Sequence, residues 1–344
     1  MNLCGKGSVD CTEIMEITTN YSTDTLSDEM FSPLNGTPWL FTEDVCEPKQ
    51  ARGACIVAVD RVGTLPAFDP QHVDVLITTR LDAPAPWVGV PAERLDAQIA
   101  QARSTIAQAP IAATMLSRLL RIGENLPFEF ALELESLAYS TLLGGGEFAR
   151  WLTHRQVLEE TDAATAVRYE REDDLVTLTL AAPAIRNAMT AAMRDALYEA
   201  LANVLDDPSR PQLILRGEGR CFSTGGHLPE FGSTQDLAAA HLIRTQRSCT
   251  RLLHRLGDRG KVCLHGACVG SGIEIPAAAG RRVGTASMFA QLPELRMGLI
   301  PGAGGTVSVA RAIGRHRLMW LALGAFRLGA VQALEWGLLH EVIS

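Results

Sequence analysis

The spacing of apolar and polar residues changes along the chain and predicts its elements. Residues 55–59 and 73–79 are rich in β-branched apolar residues, as in strands, with turn-forming prolines between them. From Pro91 to Arg155 the apolar positions recur at helical spacing. A further strand is predicted at Leu175–Leu180, followed by a helix that Thr190 is expected to cap.

Beyond residue 165, strands alternate with helices and glycine loops, which is typical of an α/β fold built from crossover units. Strands are predicted at 212–216, 261–264 and 282–285, and one long helix at about 236–256. Gly270-Ser271-Gly272 is expected to open a further apolar helix. These changes divide the chain into an acidic tail expected to be poorly ordered (1–50), a short β-rich segment (51–86), a helical region (87–158) and an α/β core (165–344).

Composition and charge exclude several function classes. Hydrophobic residues make up 47% of the 344 residues and charged residues 20%, as in soluble globular proteins, and no apolar run is long enough for a membrane helix. The net charge of −8 is concentrated in residues 1–50, which hold nine acidic residues and two lysines. The near-neutral remainder offers no cationic stripe for a nucleic-acid backbone. Neither nucleic acid nor membrane is therefore expected as a partner.

The cysteines and histidines give no sign of a metal site. None of the eight cysteines forms a C-x-x-C pair, and the eight histidines are scattered. The N-terminus shows no basic segment followed by an apolar one, as a secretory signal would. We therefore expect a cytoplasmic, reducing location.

Two glycine loops, at 221–228 and 265–274, are each expected to precede a helix. Glycine lets a ligand approach the backbone, and a helix N-terminus adds partial positive charge. Two such loops aimed at one atom would form an oxyanion hole for a thioester carbonyl that becomes an enolate. Taken singly, each loop is better explained as a tight turn.

Two glutamates lie in apolar surroundings. Glu274 stands between two isoleucines at a helix start, and Glu294 lies between Leu292-Pro293 and another apolar run. Burial would raise the pKa of both carboxyls, which suits a proton donor and acceptor near neutral pH. The alternative for Glu274 is that it only complements the helix dipole.

Five segments together resemble the enoyl-CoA hydratase/isomerase family, the crotonases. They agree with its motifs in order and spacing over about residues 167–344. The segments are Arg186-Asn187-Ala188-Met189, residues 221–228, residues 266–274, Leu292-Pro293-Glu294, and residues 298–306.

The resemblance implies a fold, a site and a substrate. The fold is a crotonase-like spiral of ββα units with an accompanying helical region, commonly assembled into trimers or hexamers. The backbone N–H groups of Gly226 and Ser271 would be the oxyanion donors, and Glu274 and Glu294 the acid/base pair. The substrate is a coenzyme A thioester, with no metal or other cofactor. The remaining substrate-contacting positions would be Arg186, near the coenzyme A phosphates, with Ala188, Gly225, His227 and Leu228.

Three positions depart from the family pattern. His227 replaces a usual aspartate, His265 a usual asparagine, and Ser271 the middle of three glycines. A backbone donor survives the change from glycine to serine. His227 is expected to face outward from its loop.

The family's helical region would be misplaced in this chain. It normally follows the core, whereas here the matching pattern lies within residues 87–155 and the sequence ends at Ser344. We predict a permuted layout in which these helices cover the core, as is plausible where domain termini lie close together. The alternative is a decayed first copy of a crotonase domain.

The function predicted from the sequence is a lyase that hydrates a 2-enoyl-CoA or dehydrates a 3-hydroxyacyl-CoA. Double-bond isomerisation is the first rival, since one carboxylate can move a proton between carbons. A non-catalytic acyl-CoA binder is the second, because of the three substitutions.

Overall fold

The N-terminal part of the chain forms a small parallel sheet. In this computed structural model, which describes residues 31–34, 36–43, 53–155 and 167–343, its strands lie side by side in chain order. All residues of the second and third strands are buried, and all are apolar except the last of each, Asp60 and Thr78. The strands are β1 (Trp39–Thr42), β2 (Cys55–Asp60), β3 (Val75–Thr78) and β4 (Val88–Gly89).

Strand β1 lies inside the segment 1–50 that we expected to be poorly ordered. Its apolar residues pair in parallel with β2, Trp39 opposite Cys55 and Thr42 opposite Ala58, so this part of the predicted tail is a strand. Most of the predicted tail lies outside the described residues, as does the predicted boundary between 158 and 165.

The helical region consists of four helices. Among the described residues, no helix is both long enough and apolar enough to cross a bilayer. The predicted helical pattern is present, divided at proline and glycine residues. The helices are α1 (Ala92–Gln108), α2 (Pro110–Gly123), α3 (Phe128–Leu143) and α4 (Gly146–His154).

The core contains two sheets. Their strands are β5 (Val167–Glu172), β6 (Leu175–Leu180), β7 (Gln212–Gly217), β8 (Gly260–Leu264), β9 (Ala267–Val269), β10 (Arg281–Thr285), β11 (Phe289–Gln291), β12 (Leu328–Gly329) and β13 (Glu341–Ile343). The larger sheet has the order β13-β10-β8-β7-β6-β5 and is parallel except for the β5–β6 pair. The smaller sheet has the order β12-β11-β9.

The core helices correct two predictions. The single helix expected over 236–256 is two helices, because the Ser248 side chain caps a new one by accepting the N–H of Arg251. The helix that begins at Ser271 has only four residues, and a 3₁₀ turn starting at Pro276 follows it. The helices are α5 (Ala191–Asp206), α6 (Leu237–Gln246), α7 (Cys249–Leu256), α8 (Ser271–Glu274), α9 (Gly305–Ile313), α10 (Arg315–Gly324) and α11 (Ala330–Glu335).

The helical region packs directly on the core. Helix α3 lies against α6 and α9, and α1 and α2 lie against α10. Buried basic side chains of α10 also anchor the N-terminal sheet, since Arg315 donates to Val73 O at 3.0 Å and Arg317 to Trp87 O at 3.3 Å. One apolar cluster contains residues of β2 and β3, of α1–α3 and of the core helices.

Candidate active site

The two glycine loops predicted from the sequence meet in the structure. Val269 N–H donates to Ser223 O at 3.0 Å, and Ser223 forms a bridge with Cys268. A Cβ built on Gly225 would lie 2.7 Å from Val269 O, so a larger residue there would force the loops apart. Gly225 also has φ +87°, which glycine adopts without strain. Close packing of the two loops therefore depends on glycine.

The backbone amides of Gly226 and Ser271 are left free by this packing. Gly225 O and His227 N–H both bond to Met189, at 2.7 and 3.1 Å. The C=O and N–H of one trans peptide group point in opposite directions, so the Gly226 amide, which shares its peptide group with Gly225 O, points away from Met189. Ser271 is the first residue of α8, where backbone N–H groups have no intrahelical acceptor. Within the described residues, neither amide donates to a protein acceptor.

The carboxylates of Glu274 and Glu294 both lie beside Gly270, the residue just before Ser271. A Cβ built on Gly270 would be 2.8 Å from Glu294 Oε1 and 3.8 Å from Glu274 Oε1. Both side chains are buried. The structure thus brings together the two glutamates that the sequence singled out, beside one of the predicted oxyanion donors.

The surroundings of these two carboxylates differ. Glu274 Oε2 accepts the N–H groups of Ala303 and Gly305 at 2.7 and 3.0 Å. The role of Glu274 is therefore not limited to complementing the dipole of its own short helix. Glu294 Oε2 is buried without a hydrogen-bond partner among the described residues. Burial raises the pKa of Glu274 to about 7, and the two backbone donors limit the rise. Burial and repulsion from Glu274 raise the pKa of Glu294 well above its usual range.

A third buried glutamate, Glu135 on α3, adjoins the site. Its carboxylate accepts the N–H of Gly304 at 2.6 Å, and both the N–H and the hydroxyl of Thr306 at 2.9 and 2.6 Å. Burial and repulsion from Glu274 raise the pKa of Glu135 to about 8. Glu135 is not among the site residues predicted from the sequence. The available signal was an acidic residue on the same helical face as Leu132 and Ser136, which are buried.

Tyr139, one turn along α3, completes the polar group. Burial raises the pKa of its phenol, and the charges of Glu274, Glu294 and Glu135 add to the rise. Its ring lies under the guanidinium of Arg244, 4.6 Å from the ring centroid, an arrangement favourable to the cation. The candidate acid/base pair is thus closed on one side by the helical region.

Two cavities open beside the loops. The first, of about 440 Å³, is lined by Ser271, Met189, Glu135 and the turn Gly302–Gly304, together with several arginines. The second, of about 250 Å³, is lined by Met189, Tyr139, His227 and Phe231. Met189, which bonds to the residues on both sides of Gly226, lines both cavities, and Ser271 lines the first.

The other predicted substrate-contacting residues are spread along the rim of the loops. Arg186 is exposed and Ala188 buried, on either side of the buried Asn187. Leu228 is exposed. The prediction that His227 faces outward is wrong: its side chain is only 13% exposed, with Nδ1 3.9 Å from Glu230 Oε1, because the loop folds over Met189.

Known proteins similar to this chain include CoA-thioester hydratases and an isomerase. A family model described as Enoyl-CoA hydratase/isomerase matches residues 170–344. A probable enoyl-CoA hydratase of Rhodobacter capsulatus is 30% identical over 52% of this chain and 68% of its own. Two Escherichia coli proteins, a 2,3-dehydroadipyl-CoA hydratase and a 1,2-epoxyphenylacetyl-CoA isomerase, are 30% and 32% identical over 50% of this chain and 67% of theirs.

A solved structure is also similar. The enoyl-CoA hydratase of Thermoplasma volcanium matches with a TM-score of 0.48 and 26% identity, over 52% of this chain and 72% of its own. These matches span about half of the chain; in the family model that half is residues 170–344.

Proposed function

Because the chain belongs to the enoyl-CoA hydratase/isomerase (crotonase) family, we propose that it stabilises a thioester enolate and adds water to a 2-enoyl-CoA, or removes it from a 3-hydroxyacyl-CoA. The family and the α/β crotonase fold expected from the sequence are confirmed. The family acts on acyl-CoA thioesters, and its relatives include both hydratases and isomerases. The reaction and its residues are our proposal.

The amides of Gly226 and Ser271 would hold the thioester oxygen. Charge develops on this oxygen when the enolate forms, and fixed backbone donors stabilise it without reorganisation. The close approach of the two loops supports this role. The departure at Ser271 leaves the donor intact, because the donor belongs to the backbone.

The two glutamates would divide the proton transfers. Ionised Glu274, favoured by its two backbone donors, takes a proton from water as the water oxygen bonds to the β-carbon. Glu294, whose pKa burial and repulsion from Glu274 raise well above its usual range, delivers its proton to the α-carbon. Dehydration is the same sequence reversed. The observation that carries the proposal is the placement of both carboxylates around Gly270.

Two rival functions remain. An isomerase needs only one carboxylate, so the pairing of Glu274 with Glu294 favours hydration. A non-catalytic acyl-CoA binder would have no use for a buried carboxyl oxygen left without a partner, as in Glu294. Such a group is costly in a fold and often marks a functional site.

The test is to mix the purified chain with crotonyl-CoA and follow the loss of enoyl-thioester absorbance. We expect turnover in the wild type and in the control Glu218→Gln, whose exposed carboxylate pairs with Arg168. Glu274→Gln and Glu294→Gln should each lose about 10²- to 10⁴-fold. Conversion of a 3-enoyl-CoA without hydration would favour the isomerase. Binding of thioesters without any turnover would favour the binder.

We also propose the permuted layout, with residues 87–158 as the helical cover of the core at 165–344. It is supported by α3, which contacts α6 and supplies Glu135 to the turn before α9. A decayed copy of the domain would not be expected to keep buried carboxylate contacts with the site. The cytoplasmic location and the trimeric or hexameric assembly stay predictions.

A further inference from the structure

The larger cavity has a cationic wall. Of the residues that line it, Arg194, Arg244, Arg247 and Arg251 are basic. Two of the four are neutralised locally, since Arg194 pairs with Asp195 at 2.9 Å and Arg247 with Glu199 at 2.9 Å. Within the described part of the chain, Arg244 and Arg251 form no ion pair.

Arg244 is held in place without being neutralised. Its Nη1 donates to the hydroxyls of Ser136 and Ser140 at 2.9 and 3.1 Å, and its guanidinium lies over the Tyr139 ring. Burial lowers the pKa of this guanidinium, the direction expected for a desolvated cation. The donors on Nε and Nη2 have no hydrogen-bond partner among the described residues.

Arg251, at the start of α7, likewise keeps a donor without a partner among the described residues. Its Nη2 donates to Gln246 O at 2.8 Å, while its Nε is buried with no partner among the described residues. A buried, unpaired donor on a cation is costly unless a ligand satisfies it. Both arginines therefore keep donors for an acceptor inside the cavity.

The glutamates that line the cavity do not supply that acceptor. Glu129 is paired with Arg255 at 2.6 Å, and Glu133 lies 3.6 Å from His241. Glu135 accepts from the backbone of the Gly302–Gly304 turn and from Thr306. A ligand in this cavity would meet two guanidiniums that form no ion pair with a carboxylate of the described residues.

We propose that this cavity binds an acyl group whose far end carries a carboxylate. The inference rests on the proposed function, because Ser271, the proposed donor to the thioester oxygen, lines the same cavity. With the thioester at Ser271, the acyl chain runs toward Arg244 and Arg251, whose planar donors match a carboxylate. The phosphates of coenzyme A are the other possible source of an anion here.

The experiment compares the binding of adipyl-CoA, hexanoyl-CoA and free coenzyme A by calorimetry. The two thioesters differ by the terminal carboxylate alone, and both are saturated, so neither is hydrated. We expect adipyl-CoA to bind at least about tenfold more tightly than hexanoyl-CoA. Arg244→Met and Arg251→Met should each reduce that ratio toward one. The control Arg168→Met, an exposed arginine outside the cavity lining that pairs with Glu218, should keep it.

Two outcomes would overturn the proposal. In the first, the wild type binds hexanoyl-CoA as tightly as adipyl-CoA, a result that needs no variant to fold. In the second, the two cavity variants weaken free coenzyme A and both thioesters equally, which would assign the arginines to coenzyme A phosphates. Failure of this preference together with hydration of crotonyl-CoA would leave the proposed function standing. The preference without turnover of any enoyl-CoA would support the acyl site and reject the hydratase.

Discussion

Glu135 and Glu274 accept alternate backbone N–H groups from four consecutive residues: Glu274 binds those of Ala303 and Gly305, and Glu135 those of Gly304 and Thr306. The four groups open helix α9, where N–H groups lack intrahelical acceptors and favour negative charge. One carboxylate comes from the core and the other from α3. The turn thereby couples the helical region to the candidate acid/base pair.

Replacement of Glu135 should destabilise the fold and disturb the site. Glu135→Ala leaves two amides and the Thr306 hydroxyl without their acceptor, so we expect the free energy of unfolding to fall by about 2 to 5 kcal/mol. Glu135→Gln keeps one acceptor oxygen and should lose less. The measurement is chemical denaturation, with the pH profile of turnover as the readout of positioning.

Thr306→Val provides the matched partner for that test. It removes one donor to Glu135, and we expect it to cost about 1 kcal/mol alone. Because the two side chains are in contact, the double variant should cost less than the sum of the singles. Additive losses, with an unchanged pH profile in Glu135→Gln, would show that α3 does not act on the site.

Stability should fall as pH rises through the neutral range. Burial raises the pKa of Glu135 to about 8 and that of Glu274 to about 7, against about 4.3 in an unfolded chain. Between these values the folded state binds more protons than the unfolded one, so the free energy of unfolding decreases with pH. Each such carboxyl contributes a slope of up to about 1.4 kcal/mol per pH unit.

The readout is the difference between the wild type and Glu135→Gln, measured by denaturation from about pH 5 to pH 8. Burial lowers the pKa of His254, His316 and His340, and these groups act in the opposite direction in both proteins. Glu135→Gln should flatten the decline. Parallel curves for the two proteins would mean that Glu135 does not titrate in this window.

The sequence carried enough information to bring together the candidate acid/base pair but not its support. Glu274 and Glu294 lie in motifs whose spacing is local, and the glycine loops around them are short. Glu135 reaches a turn 169 residues away in the chain, a contact that apolar periodicity cannot reveal. Acidic side chains are rarely buried without a partner, so the sequence alone argues against the burial of Glu135. Only the structure shows the amides of the turn that bind it.

Two further features depended on tertiary contacts. The break between α6 and α7 rests on the Ser248 cap, which a continuous apolar pattern over 236–256 conceals. The orientation of His227 follows from the bridge between Met189 and Gly226, which joins two separate motifs. By contrast, Thr190 was predictable as a cap because its partner, Met193 N–H, is three residues away.

Ser271→Pro should remove one proposed oxyanion donor while keeping the helix start. Proline is tolerated at the first position of a helix, which Ser271 occupies, and it has no N–H to donate. We expect turnover of crotonyl-CoA to fall by about 10²- to 10³-fold. Ser271→Ala keeps the amide and removes a buried hydroxyl that has no partner among the described residues, so its stability should be unchanged or higher. Equal turnover in both variants would argue against the donor.

Gly270→Ala should separate backbone strain from the geometry of the carboxylates. Gly270 has φ +52°, and a Cβ there would lie 2.8 Å from Glu294 Oε1, so Glu294 must move. Gly257 has nearly the same φ, +54°, with nothing within 4 Å of a Cβ. Both substitutions force alanine into a sparsely populated positive-φ conformation, with ψ −126° at Gly270 and −132° at Gly257, at about 1 to 3 kcal/mol.

The two variants should therefore lose similar stability but differ in activity. We expect Gly257→Ala to keep its turnover of crotonyl-CoA, whereas Gly270→Ala should lose about 10²-fold or more, because a misplaced proton donor is ineffective. Thermal denaturation checks the first comparison and steady-state kinetics the second. If Gly270→Ala retains full activity at comparable stability, Glu294 is not the group that delivers the proton, and the proposed division between the two glutamates fails.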